Sequence, residues 1–499
     1  MPEETWHQAR LIPTSGINGA DEQEGRATSA LLSVMSAVKE FSRTLLGPLG
    51  APAGLPETYI EVPFPLGEKN FRPDGLIRVT RAGKPWTALV EVKTGRNLLT
   101  TEQVEAYLDI AREQGFNAVI TISNEIPAIA GQHPTKLDKR KLKKVEVHHW
   151  SWSYILATAV MQKEVRGVSD PEQAWILGEL IRYLEHPRSG ALEFEDMGPN
   201  WVSVRNAVEA STLRTTDKTI TDVTARFDAL LRFASLRLGR QLGTEVLPVL
   251  SRKEAADPNL RTQALVSQLV GSGELGGVIR IPNTVSPIYL TANLRSGKVT
   301  AHVDIDAPRD GRATTRVGWL VRQLKNAPAD TRVEAFVANA RGAGAAELLG
   351  TIRENPSAII LDPKKDLRTF RVARTVAMGA KAGRGRGTFI DSVLDLLDAF
   401  YADVVQHLKA WSAAPPKMRE PEVITDVEPA LVSTAQSSQD GPEEVGDEFV
   451  RALSFTPSTE DDLAPSPGES STTEESASTS PEPTSNHDWR SNGSEEVRY

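Results

Sequence analysis

The chain has 499 residues, of which 39% are hydrophobic, and a formal charge of −9 at pH 7; at this length one hydrophobic core rarely serves, and two folded domains are expected. The absence of cysteine excludes disulfides, thiolate–zinc sites and cysteine nucleophiles, and fits a reducing compartment. The charge is unevenly spread, with 19 acidic and 3 basic residues from Glu420 to Tyr499 and 54 basic against 47 acidic elsewhere, a mildly basic body compatible with a nucleic-acid partner.

The first apolar stretch, Ala27 to Val38, is interrupted by serines and follows an acidic run. It is far short of the roughly 20 apolar residues of a membrane span, so the chain reads as cytoplasmic with no membrane partner. Glu24 to Leu46 has the periodicity of one helix, with Ala27, Leu31, Val34, Val38, Phe41 and Leu45 at three- and four-residue steps. Strands are expected at Tyr59–Phe64, Gly75–Thr80 and Trp86–Val92, the last two joined by a turn at Gly83-Lys84-Pro85 into an antiparallel pair. A helix at Glu102–Glu113 entered through Thr100 or Thr101, a buried strand at Ala118–Ile122, a strand at Val145–Trp150 and a helix at Tyr154–Lys163 complete an α/β sandwich over residues 1–164.

Residues 165–414 read as a second α/β domain of unknown role. It opens on a long amphipathic helix, Asp217–Arg240. Strands follow near Gly277–Ile281, Ile288–Leu294, Val299–Ile305, Arg332–Val337 and Thr369–Val376, and helices near Thr314–Lys325, Ala345–Arg353 and Phe389–Trp411. From residue 415 to 499 the composition is that of a disordered acidic tail. Within it, Phe449, Val450 and Leu453 have the helical spacing of a partner-docking segment.

The strongest chemical signal is Arg72-Pro73-Asp74-Gly75 followed by Glu91-Val92-Lys93. Asp74 opens one expected strand, and Glu91 and Lys93 end the next. Side chains alternate along a strand, so Glu91 and Lys93 share a face while Val92 takes the other. A hairpin brings Asp74 beside Glu91 at an exposed strand end, where two carboxylates make a hard-oxygen site suited to Mg²⁺. Phosphodiester hydrolysis calls for such a set: a divalent ion activates water and neutralises developing charge, and a lysine stabilises the pentavalent state.

Pro73-Asp74 and Glu91-x-Lys93, within this order of helices and strands, resemble the PD-(D/E)XK nuclease superfamily over roughly the first 160 residues. The resemblance implies a restriction-endonuclease-like fold and a Mg²⁺- or Mn²⁺-dependent nuclease acting on DNA in restriction, repair or defence. It implies Asp74 and Glu91 as metal ligands and Lys93 as a catalytic residue. Members often add an acid from the first helix, here Glu24, for which a favourable charge in a first helical turn is the plain alternative. Some place a glutamine and a tyrosine four apart on the helix after the lysine strand, here Gln103 and Tyr107. For these the plain alternatives are a Thr100-x-x-Gln103 capping box and a half-buried core tyrosine.

Weaker signals are the basic run Lys136, Lys139, Arg140, Lys141, Lys143 and Lys144, a candidate phosphate contact, and the glycine-rich stretch Gly379–Gly387 with Lys381, Arg384 and Arg386. His148 and His149 alternate faces of a strand and are not assigned as ligands. The reading of a different class is a non-hydrolysing DNA-binding or scaffolding protein with a nuclease-like fold, whose tail recruits a protein partner.

Overall fold

In the computed structural model of the chain, residues 11–12, 19–127, 131–191, 194–340, 342, 344–381, 387–413 and 415 are described. Contacts divide the chain into residues 1–417 and 418–499. The second unit, with the Phe449–Leu453 segment, lies outside the described residues, as do Arg384 and Arg386.

Two helices open the fold, α1 (Ala20–Ala37) and α2 (Lys39–Leu46). The single helix expected here is broken at Val38, whose φ of −109° and ψ of 97° are extended. Its β-branched side chain is fully buried there, and its N–H still bonds the Val34 carbonyl at 2.8 Å. Next come β1 (Glu57–Ile60), β2 (Phe64–Leu66), β3 (Lys69–Phe71), β4 (Gly75–Arg81) and β5 (Lys84–Val92). The expected Tyr59–Phe64 strand therefore stops short. Glu61 takes a positive φ of 50°, and Phe64 pairs instead with Phe71 in a separate small hairpin. The β4–β5 turn falls at Ala82–Gly83, with φ of 50° and 74° and Arg81 facing Lys84. Two left-handed residues match the twist of the flanking strands, so Lys84 and Pro85 already belong to β5.

The chain continues through α3 (Thr101–Gln114), β6 (Ala118–Ser123), β7 (Glu146–Ser151), α4 (Trp152–Met161) and α5 (Pro171–Leu184). The five-stranded sheet has the order β1-β4-β5-β6-β7 and is mixed: β1–β4 and β4–β5 are antiparallel, β5–β6 and β6–β7 parallel. One face, with Ile77, Val90, Ile120 and Ile122, packs on α1, α2, α4 and α5; the other, with Leu76, Leu89 and Val119, packs on α3. Helix α5, absent from the sequence reading, fills the first of these cores with Leu177, Leu180, Tyr183 and Leu184.

Beyond it lie α6 (Trp201–Glu209), α7 (Lys218–Leu242), β8 (Leu247–Pro248), α8 (Arg252–Ala256), α9 (Pro258–Ser272), β9 (Glu274–Arg280), β10 (Ile288–Asn293), β11 (Lys298–Asp306), α10 (Ala313–Gln323), β12 (Arg332–Val337), β13 (Ala345–Leu348), α11 (Leu349–Glu354), β14 (Leu367–Ala377) and α12 (Phe389–Asp403). Seven of these strands form a wholly antiparallel sheet, β13-β12-β14-β11-β10-β9-β8. Two helical expectations change here. Ala345–Leu348 is an edge strand on β12 before the short α11, and the last helix ends at Asp403 because Val404 leaves helical geometry at φ −124°. The two sheets are tied together after β6. Ile126 joins the core of the antiparallel sheet, and Arg232 of α7 donates to the Pro127 carbonyl at 3.1 Å. Among the described residues, no helix is long and apolar enough to cross a membrane.

Candidate active site

Register fixes the site. Gly75 faces Val90, which sets Asp74 beside Glu91, and Glu91 is aligned with Thr121 and Thr121 with His149. All four positions lie on the α3 face, at the end of the sheet where β5 and β6 finish. Asp74 Oδ2 accepts the Val92 N–H at 2.7 Å.

Glu91 is 1% exposed, so the expected open strand end is in fact covered. Its Oε1 accepts from the Lys93 ammonium at 2.8 Å and from the Gln103 amide at 2.5 Å. Its Oε2 is buried with no hydrogen-bond partner. Burial, followed by repulsion from Asp74, pushes the Glu91 carboxyl up to about 7. Burial likewise raises the Asp74 carboxyl, against the opposing pull of the Val92 N–H and Lys93. Burial works against the Lys93 ammonium, but Glu91, Glu24 and Asp74 outweigh it and hold its pKa above the ordinary value.

Glu24 sits in the first turns of α1 and comes to the same site. Its Oε2 accepts from Lys93 Nζ at 3.3 Å, and its Oε1 from Asn97 Nδ2 at 2.6 Å and the Thr94 N–H at 3.4 Å. Gln103 and Tyr107, one turn apart on α3, complete the wall. The Gln103 amide also approaches the Tyr107 hydroxyl at 3.4 Å, and burial and then Glu91 raise that phenol. Only half of the expected capping box forms. Thr100 accepts the Gln103 N–H at 3.3 Å, while the Gln103 side chain turns to Glu91. Tyr107 is 3% exposed and packs in the α3 core as well. All six residues singled out in the sequence, Glu24, Asp74, Glu91, Lys93, Gln103 and Tyr107, thus meet in one place.

Several supporting residues carried no sequence signal of their own. Asn97 holds Glu24 from the turn after Lys93. Thr94 Oγ1 donates to Gln23 Oε1 at 3.1 Å. Asn124 donates to the carbonyls of Gly95 and Gly190 at 2.9 and 2.7 Å. Gly190 needs to be glycine: its φ is 83°, and a Cβ there would lie 2.6 Å from Thr94 and Gln23. The polar run Thr94-Gly95-Arg96-Asn97 is a turn signature, the one hint available for this cluster.

Further along the row, Thr121 Oγ1 lies 2.9 Å from both His133 Nε2 and His149 Nδ1, while His149 Nε2 meets the Glu125 carbonyl at 2.9 Å. Burial lowers both imidazoles, His149 to about 3, so His149 is neutral at ordinary pH. His148 lies on the opposite face beside Glu146, at 3.1 Å.

The basic run does not act as a unit. Arg140 pairs with Asp138, and Lys141 with Asp109 and Glu105. Lys143 and Lys144 precede β7 at the end of the sheet away from Glu91, where Lys144 lines a cavity of about 550 Å³ with Trp86 and Asn117. Lys381 makes a bridge with Thr388 in the second sheet's region. Among the described residues, no three His, Cys, Asp or Glu side chains are arranged as a ready metal site; Lys93 stands between Glu24 and Glu91. No protein-family model, curated protein or solved structure matches this chain.

Proposed function

We propose that this chain is a divalent-metal-dependent nuclease of the PD-(D/E)XK type, hydrolysing DNA phosphodiester bonds at the centre formed by Asp74, Glu91 and Lys93. The observation that carries the reading is the unpartnered, buried Glu91 Oε2 beside the Asp74 carboxylate. A buried acceptor without a donor costs about 1–3 kcal/mol or more, and a buried carboxylate whose pKa is pushed up further by a neighbouring carboxylate is a poor structural choice. Both costs are relieved by a shared cation, and carboxylate oxygens are the donors that Mg²⁺ or Mn²⁺ prefers. Asp74 and Glu91 would hold the ion. Bound there, it would supply a water of lowered pKa and neutralise charge on the phosphoryl oxygens.

The chain's own residues do the rest. Gln103 and the Val92 N–H orient the two carboxylates. Lys93, kept protonated by Glu91 and Glu24, presents a fixed positive charge to the anionic phosphorane. Glu24, whose oxygens are taken by Asn97, Thr94 and Lys93, orients that ammonium rather than serving first as a metal ligand. Tyr107 closes the site on the α3 side and holds Gln103.

One observation favours a non-hydrolysing, DNA-binding or scaffolding role: the Glu24–Lys93–Glu91 charges already satisfy one another in part. Incubation of the full chain with plasmid and linear DNA, with Mg²⁺ or Mn²⁺ and with EDTA, separates the two. Metal-dependent cleavage lost in Glu91→Gln supports the nuclease, and binding without cleavage in either metal supports the alternative.

A further inference from the structure

Four exposed cations from four separate segments stand around the mouth of the carboxylate site. Arg72 lies between Phe71, whose ring meets Tyr107 edge-on at 6.4 Å, and Pro73-Asp74. Arg96 projects from the turn whose next residue, Asn97, holds Glu24. Lys136 is anchored by its carbonyl, which accepts from Thr101 Oγ1 at 3.2 Å in the first turn of α3, two residues before Gln103. Arg188 is anchored in the same way, its carbonyl accepting from Gln23 Nε2 at 2.9 Å, next to Glu24. Among the described residues, none of the four side chains has an ion-pair partner, whereas Arg26, two residues after Glu24, is neutralised by Glu22 at 2.8 Å.

The backbone of Lys136 and of Arg188 is pinned, and all four residues are exposed. Lone surface charges gain little from exposed counter-ions, but a polyanion can neutralise all four at once and release its condensed counter-ions. Lys143 and Lys144, at the far end of the sheet, lack this relation to the site. We propose that Arg72, Arg96, Lys136 and Arg188 form the phosphate-contacting ring that seats a nucleic-acid backbone over Glu91, and that Lys139, Lys143 and Lys144 take no part. The inference rests on the nuclease reading for the identity of the polyanion. Of the basic run, only Lys136 belongs to the ring.

The test is fluorescence anisotropy of a labelled DNA oligonucleotide against the full chain in EDTA, so that cleavage does not enter, across a salt series. Each phosphate contact contributes about 0.7–0.9 to the slope of log affinity against log salt. Arg72→Ala, Arg96→Ala, Lys136→Ala and Arg188→Ala combined should flatten the slope by roughly 3 and weaken binding at low salt at least about tenfold. Lys139→Ala, Lys143→Ala and Lys144→Ala combined should leave both unchanged. Circular dichroism and an unchanged melting temperature for both proteins exclude misfolding as the cause. If the ring variant binds with the wild-type slope, or the three-lysine variant loses the slope instead, the ring is wrong while metal-dependent cleavage can still stand. A wild-type chain that neither binds nor cleaves DNA overturns the ring and the nuclease reading together.

Discussion

The Gln103 side-chain amide donates to Glu91 Oε1 at 2.5 Å and not to the backbone of Thr100. The helix start keeps the Thr100 cap regardless, so Gln103 is free of a capping duty and serves the carboxylate. A donor to the ionised form favours that form. Gln103→Ala should therefore raise the Glu91 pKa above its value of about 7 and move the acid limb of the pH–rate profile to higher pH. Cleavage near neutrality should fall about tenfold or more, with little change in melting temperature. A variant with an unshifted acid limb would remove Gln103 from the site.

Much of this site was legible because it rests on local rules. Alternation along β5 puts Glu91 and Lys93 on one face, and the β4–β5 hairpin brings Asp74 to them. What could not be read depends on contacts far apart in sequence. Gln23 meets the Arg188 carbonyl across 165 positions, and Asn124 meets Gly190 across 66. Burial of Glu91 is not legible locally, because a strand end looks exposed until α3 and the Thr94–Asn97 turn are placed over it. Helix α5 carries a local signature: Asp170 caps the N–H groups of Glu172 and Gln173, with Pro171 at the first helical position. In the Ala345–Arg353 stretch the run Ala-Ala-Glu-Leu-Leu favours a helix, while β12 offers an unpaired edge that Ala345–Leu348 fills.

Cation binding should release a proton. Glu91 titrates near 7, and only its ionised form is a good ligand. Affinity for Mg²⁺ or Mn²⁺ should therefore rise with pH between about 6 and 8 and level off above. Calorimetry in buffers of different ionisation enthalpy should show close to one proton released near pH 6 and a small fraction near pH 8. Glu91→Gln should abolish the proton release. Pure pH-independent binding would place the cation elsewhere.

Gly190 controls the turn that carries Asn97. Its positive φ and the 2.6 Å approach a Cβ would make to Thr94 and Gln23 leave no room for alanine. Gly190→Ala should cost about 1–3 kcal/mol through strain and displacement. It should also lower cleavage by loosening Glu24 and hence Lys93. Gly131, with a φ of 82° and nothing near its Cβ position, is the control: alanine there meets backbone strain alone and should leave cleavage unchanged. Equal activity losses at the two positions would deny Gly190 its link to the site.

His149 predicts a pH dependence of stability with a definite sign. Its folded pKa is depressed to about 3 from an ordinary 6.5. Between those values the unfolded chain binds a proton that the folded chain does not. By linkage, stability falls as pH drops through the histidine range and stops falling only near pH 3, at up to about 1.4 kcal/mol per pH unit. His149→Gln, which keeps a donor for the Glu125 carbonyl, should flatten this slope between pH 6 and 4 in urea titrations. His148→Gln, on the opposite face, should not. The buried neighbour His133, also depressed, contributes in the same direction, so the double variant should be flatter still.

Glu91 contributes with the opposite sign, which separates a functional site from a structural ion pair. Its folded pKa is raised from 4.5 to about 7, so the folded chain holds a proton that the unfolded chain has lost. Stability from this group is full below pH 4.5 and is lost as pH rises to about 7. Above that, the folded chain carries an ionised, buried Glu91 beside the half-buried Asp74 carboxylate. Glu91→Gln retains an acceptor for Lys93 and Gln103 and gives Asp74 a donor in place of a negative charge. At pH 8 without divalent metal it should be more stable than wild type, on the order of 1–3 kcal/mol, a rise of several degrees in melting temperature. Lys93→Ala should do the reverse. It leaves Glu91 and Glu24 buried without their cation, at about 1–3 kcal/mol, and moves the Glu91 titration still higher. Both variants should be inactive. Thermal melts of the two proteins at pH 5 and pH 8 decide the matter: a gain in stability with loss of cleavage marks Glu91 as held in place for its chemistry. If Glu91→Gln instead melts lower than wild type at pH 8, the Glu91–Lys93 pair is there to stabilise the fold, and the catalytic assignment of Glu91 fails.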